Sequence, residues 1–133
     1  MRIWTVLFYA FYLSCRLALG ATDSFSGLAA SREKAREVLK IHCGACHLPS
    51  SPFVQQEALK IYDLSNLDWA STMLDRQLQD SVRRLKERVG MTSAELMYVV
   101  PKGAKIPNKP KADEIQALEN YVSLELLERA TKK

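Results

Sequence analysis

The sequence predicts an all-α domain of about four to five short helices, and three observations carry that expectation. Apolar residues recur at helical spacing in separate stretches, most plainly Leu74, Leu78, Val82, Leu85 and Val89. Capping and stop signals bound those stretches: Thr92 with Glu95, Gly90, Pro101, and Asp113-Glu114. No stretch alternates convincingly as a strand. The 133 residues are one domain's worth of chain, with apolar content near the globular average.

The N-terminus is read first, because it sets what the rest must be. Met1-Arg2 is a short positive start, Ile3 to Leu13 is an uninterrupted apolar run, and small residues follow at Ala18, Gly20 and Ala21. That is the layout of a secretory signal peptide over residues 1–20, with cleavage after Gly20 or Ala21 and a periplasmic or otherwise exported product. A membrane anchor is the alternative if the segment is uncleaved, but the run is short for a bilayer and Arg16 would fall inside any longer span. A lipoprotein signal through Cys15 lacks the usual leucine three residues earlier. The chain carries a formal +4; without Arg2 and Arg16, 17 of its 19 basic residues face 15 acidic ones, leaving +2. So mild a charge on an exported protein argues against nucleic-acid binding.

Residues 21–30 read as a small, polar linker, and the domain proper as 31–133. From Ser31 the helical spacing of Ala35, Val38, Leu39 and His42 predicts a first helix that runs straight into Cys43-Gly44-Ala45-Cys46-His47. This C-x-x-C-H is a covalent haem attachment pattern. Two thiols three apart reach two vinyl groups of one porphyrin, and the histidine behind them is placed beneath the iron as proximal ligand. Gly44 and Ala45, being small, are expected to let the backbone lie against the macrocycle. A dithiol redox pair would want a strand before the motif and a βαβ context, and zinc would want four ligands; only His42 and His47 stand beside the thiols. His42 is tethered on the proximal side and is expected to be partly buried or to bond a propionate.

Leu48-Pro49-Ser50-Ser51-Pro52 must be a loop, and Pro49 or Pro52 is the expected source of a carbonyl for the second ring nitrogen of His47. A short helix is expected over 55–61. Irregular chain follows, in which Tyr62, Leu64, Leu67 and Trp69 are wall material for a pocket or ordinary core. The Leu74–Val89 stripe predicts the clearest helix, ended by Gly90, with Arg76, Arg83, Arg84, Lys86 and Arg88 on its solvated face. Thr92 and Glu95 open a helix over 93–100, with Met91 and Leu96 placed to staple it. A lysine-rich Gly/Pro loop, 102–109, precedes a last helix whose buried face is Ile115, Leu118, Val122 and Leu126.

With these elements placed, residues 31–126 resemble a small monohaem class I c-type cytochrome. The resemblance rests on the attachment motif, the helix order and a pairing of the ends. Ala35 and Leu39 precede Cys43 by eight and four residues, and Leu118 with Tyr121 match the partner pair on the last helix. It implies a cytochrome c-like fold wrapped around one covalent haem c, with first and last helices crossing. It also implies single-electron transfer rather than enzymatic catalysis, a redox partner protein docking near the haem edge, and Cys43, Cys46 and His47 as haem-binding residues.

The chain departs from the family at the sixth iron ligand. Gly103-Ala104-Lys105-Ile106-Pro107 has the shape of the loop that usually carries the methionine, but Ile106 stands in its place. Met73 is the first candidate for the distal ligand, Met91 and Met97 are others, and an open or water-bound iron is the remaining reading. An open iron would make the protein a five-coordinate haem c protein binding a small gas or peroxide; a third class is the haem subunit of a larger oxidoreductase. Lys102, Lys105, Lys109 and Lys111 would steer an acidic partner.

Overall fold

The computed structural model describes residues 27–132; the expected signal peptide and the first part of the linker lie outside them. The chain divides into two compact units, Met1–Ala30 and Ser31–Lys133. Of the first, residues 27–30 are helical, where a linker was expected. In the second, α1 spans residues 31–47, and four more helices follow: α2 (Gln56–Ile61), α3 (Asp75–Gly90), α4 (Ser93–Val99) and α5 (Ala112–Thr131). There is no strand among the described residues.

The long last helix, α5, organises the unit. Arg32 pairs with Glu125 at 3.5 Å near one end of α1, and His42 meets Glu114 at 3.2 Å near the other. The two helices therefore run in opposite senses, joined across about 15 Å of helix. Between these ties lie Ala35, Leu39, Leu118 and Tyr121, all fully buried. Helix α3 packs along α5, also in the opposite sense, with Asp75 on Arg129 at 2.9 Å and Lys86 on Glu119.

Local chemistry explains the boundaries. Thr92 Oγ1 accepts the Glu95 amide at 3.3 Å while Glu95 Oε2 accepts the Thr92 amide at 2.6 Å, so α4 opens on the capping box its sequence promises. It ends at Val99, before Pro101. In Pro101-Lys102-Gly103-Ala104 the Ala104 amide donates to the Pro101 carbonyl at 2.9 Å, and Gly103 takes φ +89°, a turn a side chain would strain.

Two expected faces are redrawn. Leu78 and Leu85 of the α3 stripe are buried, but Leu74 and Val89 at its ends are exposed. On α5 the buried face is Leu118, Tyr121, Val122 and Glu125. Glu125 is inside because it is shared: it accepts from the Tyr121 hydroxyl at 3.1 Å and from Arg129 Nε at 3.0 Å, and pairs with Arg32. Burial holds the Tyr121 phenol well above its usual ionisation range, and the Glu125 carboxylate adds to that.

Candidate functional site

Cys43, Cys46 and His47 are the last turn of α1 and are helical, not a free turn. Offsets of three and four residues place all three on one side of the helix, so helical geometry alone converges the motif. The helix end is fully satisfied. The carbonyls of Gly44, Ala45, Cys46 and His47 accept, in turn, the Leu48 amide (3.0 Å), the Ser51 hydroxyl (2.7 Å), the Gln55 amide (3.2 Å) and the Leu64 amide (3.0 Å). Each of the four carbonyls that an ending helix leaves open has a partner, which holds the motif rigid. A Cβ on Gly44 would meet Leu48 Cδ1 at 2.9 Å, so the small residue also leaves room for that leucine.

His47 Nδ1 lies 3.1 Å from the Tyr62 carbonyl. A carbonyl only accepts, so Nδ1 carries the hydrogen and Nε2 keeps its lone pair for a metal. The tyrosine ring also stacks on the imidazole, centroids 3.7 Å apart and planes 3° from parallel. Burial pushes the His47 pKa down, against the hydrogen bond to Tyr62. The expected acceptors, the carbonyls of Pro49 and Pro52, are not used. Their loop folds tightly on itself through the Ser51 amide and the Leu48 carbonyl, whereas Tyr62 is carried in by the Leu64–His47 backbone bond.

Both cysteines are free thiols, and burial pushes both above the usual thiol range, with the Arg88 guanidinium opposing it. Neither is an activated thiolate. Among the described residues no group of three or more His, Cys, Asp or Glu side chains is placed to hold a metal ion by itself.

The three motif side chains line a trough of about 490 Å³, within the range of small-molecule and cofactor sites. Its walls include Ile41, Tyr98 and Val99, which are 58%, 91% and 46% exposed. Large apolar side chains gathered around two thiols and left unpacked are the surface that a flat apolar ring, anchored at Cys43 and Cys46, would cover. The residues present thus fit a covalently held porphyrin. A second chamber of about 490 Å³ shares Ile41, His42, Ala45, Lys105 and Pro107 with the trough. A third, of about 80 Å³, adjoins it through His47, Ile61, Tyr62, Ser81 and Arg84.

Met73 lines this third chamber together with His47 and is 3% exposed. Met91 and Met97 line none of the three chambers, and Met97 is exposed on α4. Of the candidate wall residues, Tyr62 reaches the trough; Leu64 and Trp69 are core, and Leu67 is exposed. His42 is buried, with Nε2 on Glu114. The chain matches no protein-family model, no curated protein and no solved structure.

Sequence reasoning missed Arg84 and Arg88, which line the trough rather than only facing solvent. The signal was present: Ser81, Arg84, Leu85 and Arg88 recur at helical spacing on one face of α3. Arg88 donates to the His42 carbonyl, just ahead of Cys43. No helix among the described residues is long and apolar enough to cross a membrane.

Proposed function

We propose that this chain is a c-type cytochrome, periplasmic or otherwise exported, that carries single electrons between redox partner proteins through one covalent haem c. The observation that carries the reading is that Cys43, Cys46 and His47 line one trough while the Nδ1 bond to the Tyr62 carbonyl leaves the Nε2 lone pair of His47 for a metal. The burial of Ala35 and Leu39 of α1 and of Leu118 and Tyr121 of α5 supports the pairing of first and last helices that the resemblance implies.

The residues divide the work. The Cys43 and Cys46 thiols would add to the two vinyl groups and fix the ring in the trough. The Tyr62 carbonyl and ring would hold the His47 imidazole in one tautomer and one orientation while Nε2 ligates iron. Met73 is the methionine that the sequence offers first as a sixth ligand, and a thioether donor would favour the reduced state. When bound, the haem supplies the one-electron couple. Axial ligands held this firmly would keep the geometry alike in both oxidation states. Ile41, Tyr98 and Val99 would pack against the ring.

The test is a pyridine haemochrome spectrum with intact mass on protein exported from a host that matures c-type haem. A bound porphyrin held by two thioethers is expected; colourless protein with both thiols open to alkylation overturns the reading. In the oxidised protein a far-red charge-transfer band from methionine sulfur is expected and should vanish in Met73→Ala. If the band is absent from the parent protein and the reduced form takes up carbon monoxide rapidly, the iron is five-coordinate and ligand-binding chemistry replaces electron carriage.

A further inference from the structure

The second chamber is rich in cations and holds neither cysteine. Lys105, Lys109 and Lys111 line it, and the opposing carboxylate is Glu114. That carboxylate is already committed: its Oε2 accepts the Lys111 amide at 2.8 Å and lies 3.2 Å from His42 Nε2. Three lysines against this carboxylate, with Glu95 of α4 near Lys109, leave the site net positive.

We infer that this lysine-lined chamber seats the two propionate carboxylates of the haem, an assignment that rests on the reading above. The vinyl and propionate groups of the macrocycle lie on opposite edges, and the thioethers fix the vinyl edge at Cys43 and Cys46. The arginines of the trough crowd that same edge. Arg88 holds the carbonyl of His42 and its charge acts on both thiols, while that of Arg84 acts on Cys43. The far edge must find its counter-charges elsewhere. Lys105 and Pro107 line both chambers and mark the passage from one to the other. The type of turn set by Gly103 brings this segment in, with Phe53 beside it at 3.4 Å from any Cβ placed on the glycine. Lys102, on the same turn, lines neither chamber. The groups that face the propionates are therefore Lys105, Lys109 and Lys111 from the loop, His42 from α1 and Glu114 from α5, with Glu95 of α4 near Lys109.

The experiment follows the reduction potential of the holoprotein against pH, where protonation of a propionate appears as a break. Cations around a carboxylate hold its pKa down. The double variant Lys109→Gln/Lys111→Gln should move the break upward by about one pH unit, and the propionate carboxylate band in the vibrational spectrum should shift with it. Each single variant should move the break part of the way, which covers failure of the double variant to fold. Lys102→Gln should leave it in place. A break that stays put in the lysine variants, or moves instead in Arg84→Gln, overturns the assignment. So does an unmoved break accompanied by weakened, salt-sensitive binding of an acidic partner, which would make these lysines a docking surface only. Colourless protein sinks the haem reading and this inference with it; coloured protein with an unmoved break sinks this inference alone.

Discussion

The imidazole of His47 and the phenol ring of Tyr62 lie parallel, 3.7 Å apart, while the carbonyl of the same tyrosine takes the Nδ1 hydrogen at 3.1 Å. One residue thus sets both the tautomer and the tilt of the ring. The two contributions separate by mutation, because the carbonyl survives any side-chain change. Tyr62→Leu is expected to keep the hydrogen bond and lose the stack, costing about 1 kcal/mol beyond the lost apolar area. Tyr62→Phe should retain the stack. Chemical denaturation and the reduction potential should both move in Tyr62→Leu and move less in Tyr62→Phe; equal behaviour of the two would show that the ring does not orient the ligand.

Met73 is held from behind. Arg129 donates from Nη1 to the Met73 carbonyl at 2.8 Å and from Nη2 to the Ala70 carbonyl at 2.8 Å, while Asp75 and Glu125 fix the guanidinium. Charge-assisted bonds of this kind are worth about 1.5–3 kcal/mol each where they are shielded from water. Arg129→Gln should lower stability by about 2–4 kcal/mol, since it removes both and leaves Glu125 short of a partner. With Met73 as a ligand, the far-red band should also disappear on warming well before global unfolding. Simultaneous loss of band and helix signal would mean that Arg129 anchors the fold and not the ligand.

Ser51 closes the attachment turn from outside. Its hydroxyl donates to the Ala45 carbonyl at 2.7 Å and accepts the Phe53 amide at 3.1 Å. Ser51→Ala frees a helix-end carbonyl and a loop amide, at a cost of about 1–2 kcal/mol. Amide exchange should quicken at Phe53 and at Leu48 while the middle of α1 stays protected. Uniform quickening along α1 would instead mean that the serine supports the whole helix.

What the sequence made legible was whatever repeats along one helix. The C-x-x-C-H residues converge because three and four residues make one helical face, and the Thr92–Glu95 cap forms because its partners are three residues apart. The α3 stripe is right in its middle turns, Leu78 and Leu85, for the same reason. Partners distant in the chain were not legible. The carbonyl on His47 comes from Tyr62, fifteen residues on, because a backbone bond from Leu64 carries it there, and a stiff proline nearby offered no clue. Glu125 is buried where an apolar residue fits the pattern, since Arg32, from the far end of the chain, joins the i,i+4 neighbour Arg129 in neutralising it. The lysines of 102–111 look alike as a run of charge; only the turn at Gly103 sorts Lys102 from the three that line the second chamber.

Acid should loosen one wall of the trough before the rest of the unit. The Thr92 amide, and then its hydroxyl, hold the Glu95 carboxyl below the usual carboxylate range. A carboxylate whose pKa is depressed by folding contributes its full stabilisation above the unfolded value of about 4.3, and the contribution fades as pH falls through the lower folded value. Helix α4 is only seven residues long, so the cap is a large part of what holds it, and its Tyr98 and Val99 line the trough. Amide exchange over 93–96 is therefore expected to accelerate as pH drops below about 4, after correction for the intrinsic rate, while α5 remains protected. Glu95→Ala should show the fast exchange already at neutral pH and lose its pH dependence in this segment. If the corrected rates at 93–96 stay flat from neutral pH down to about 3, the cap does not govern α4.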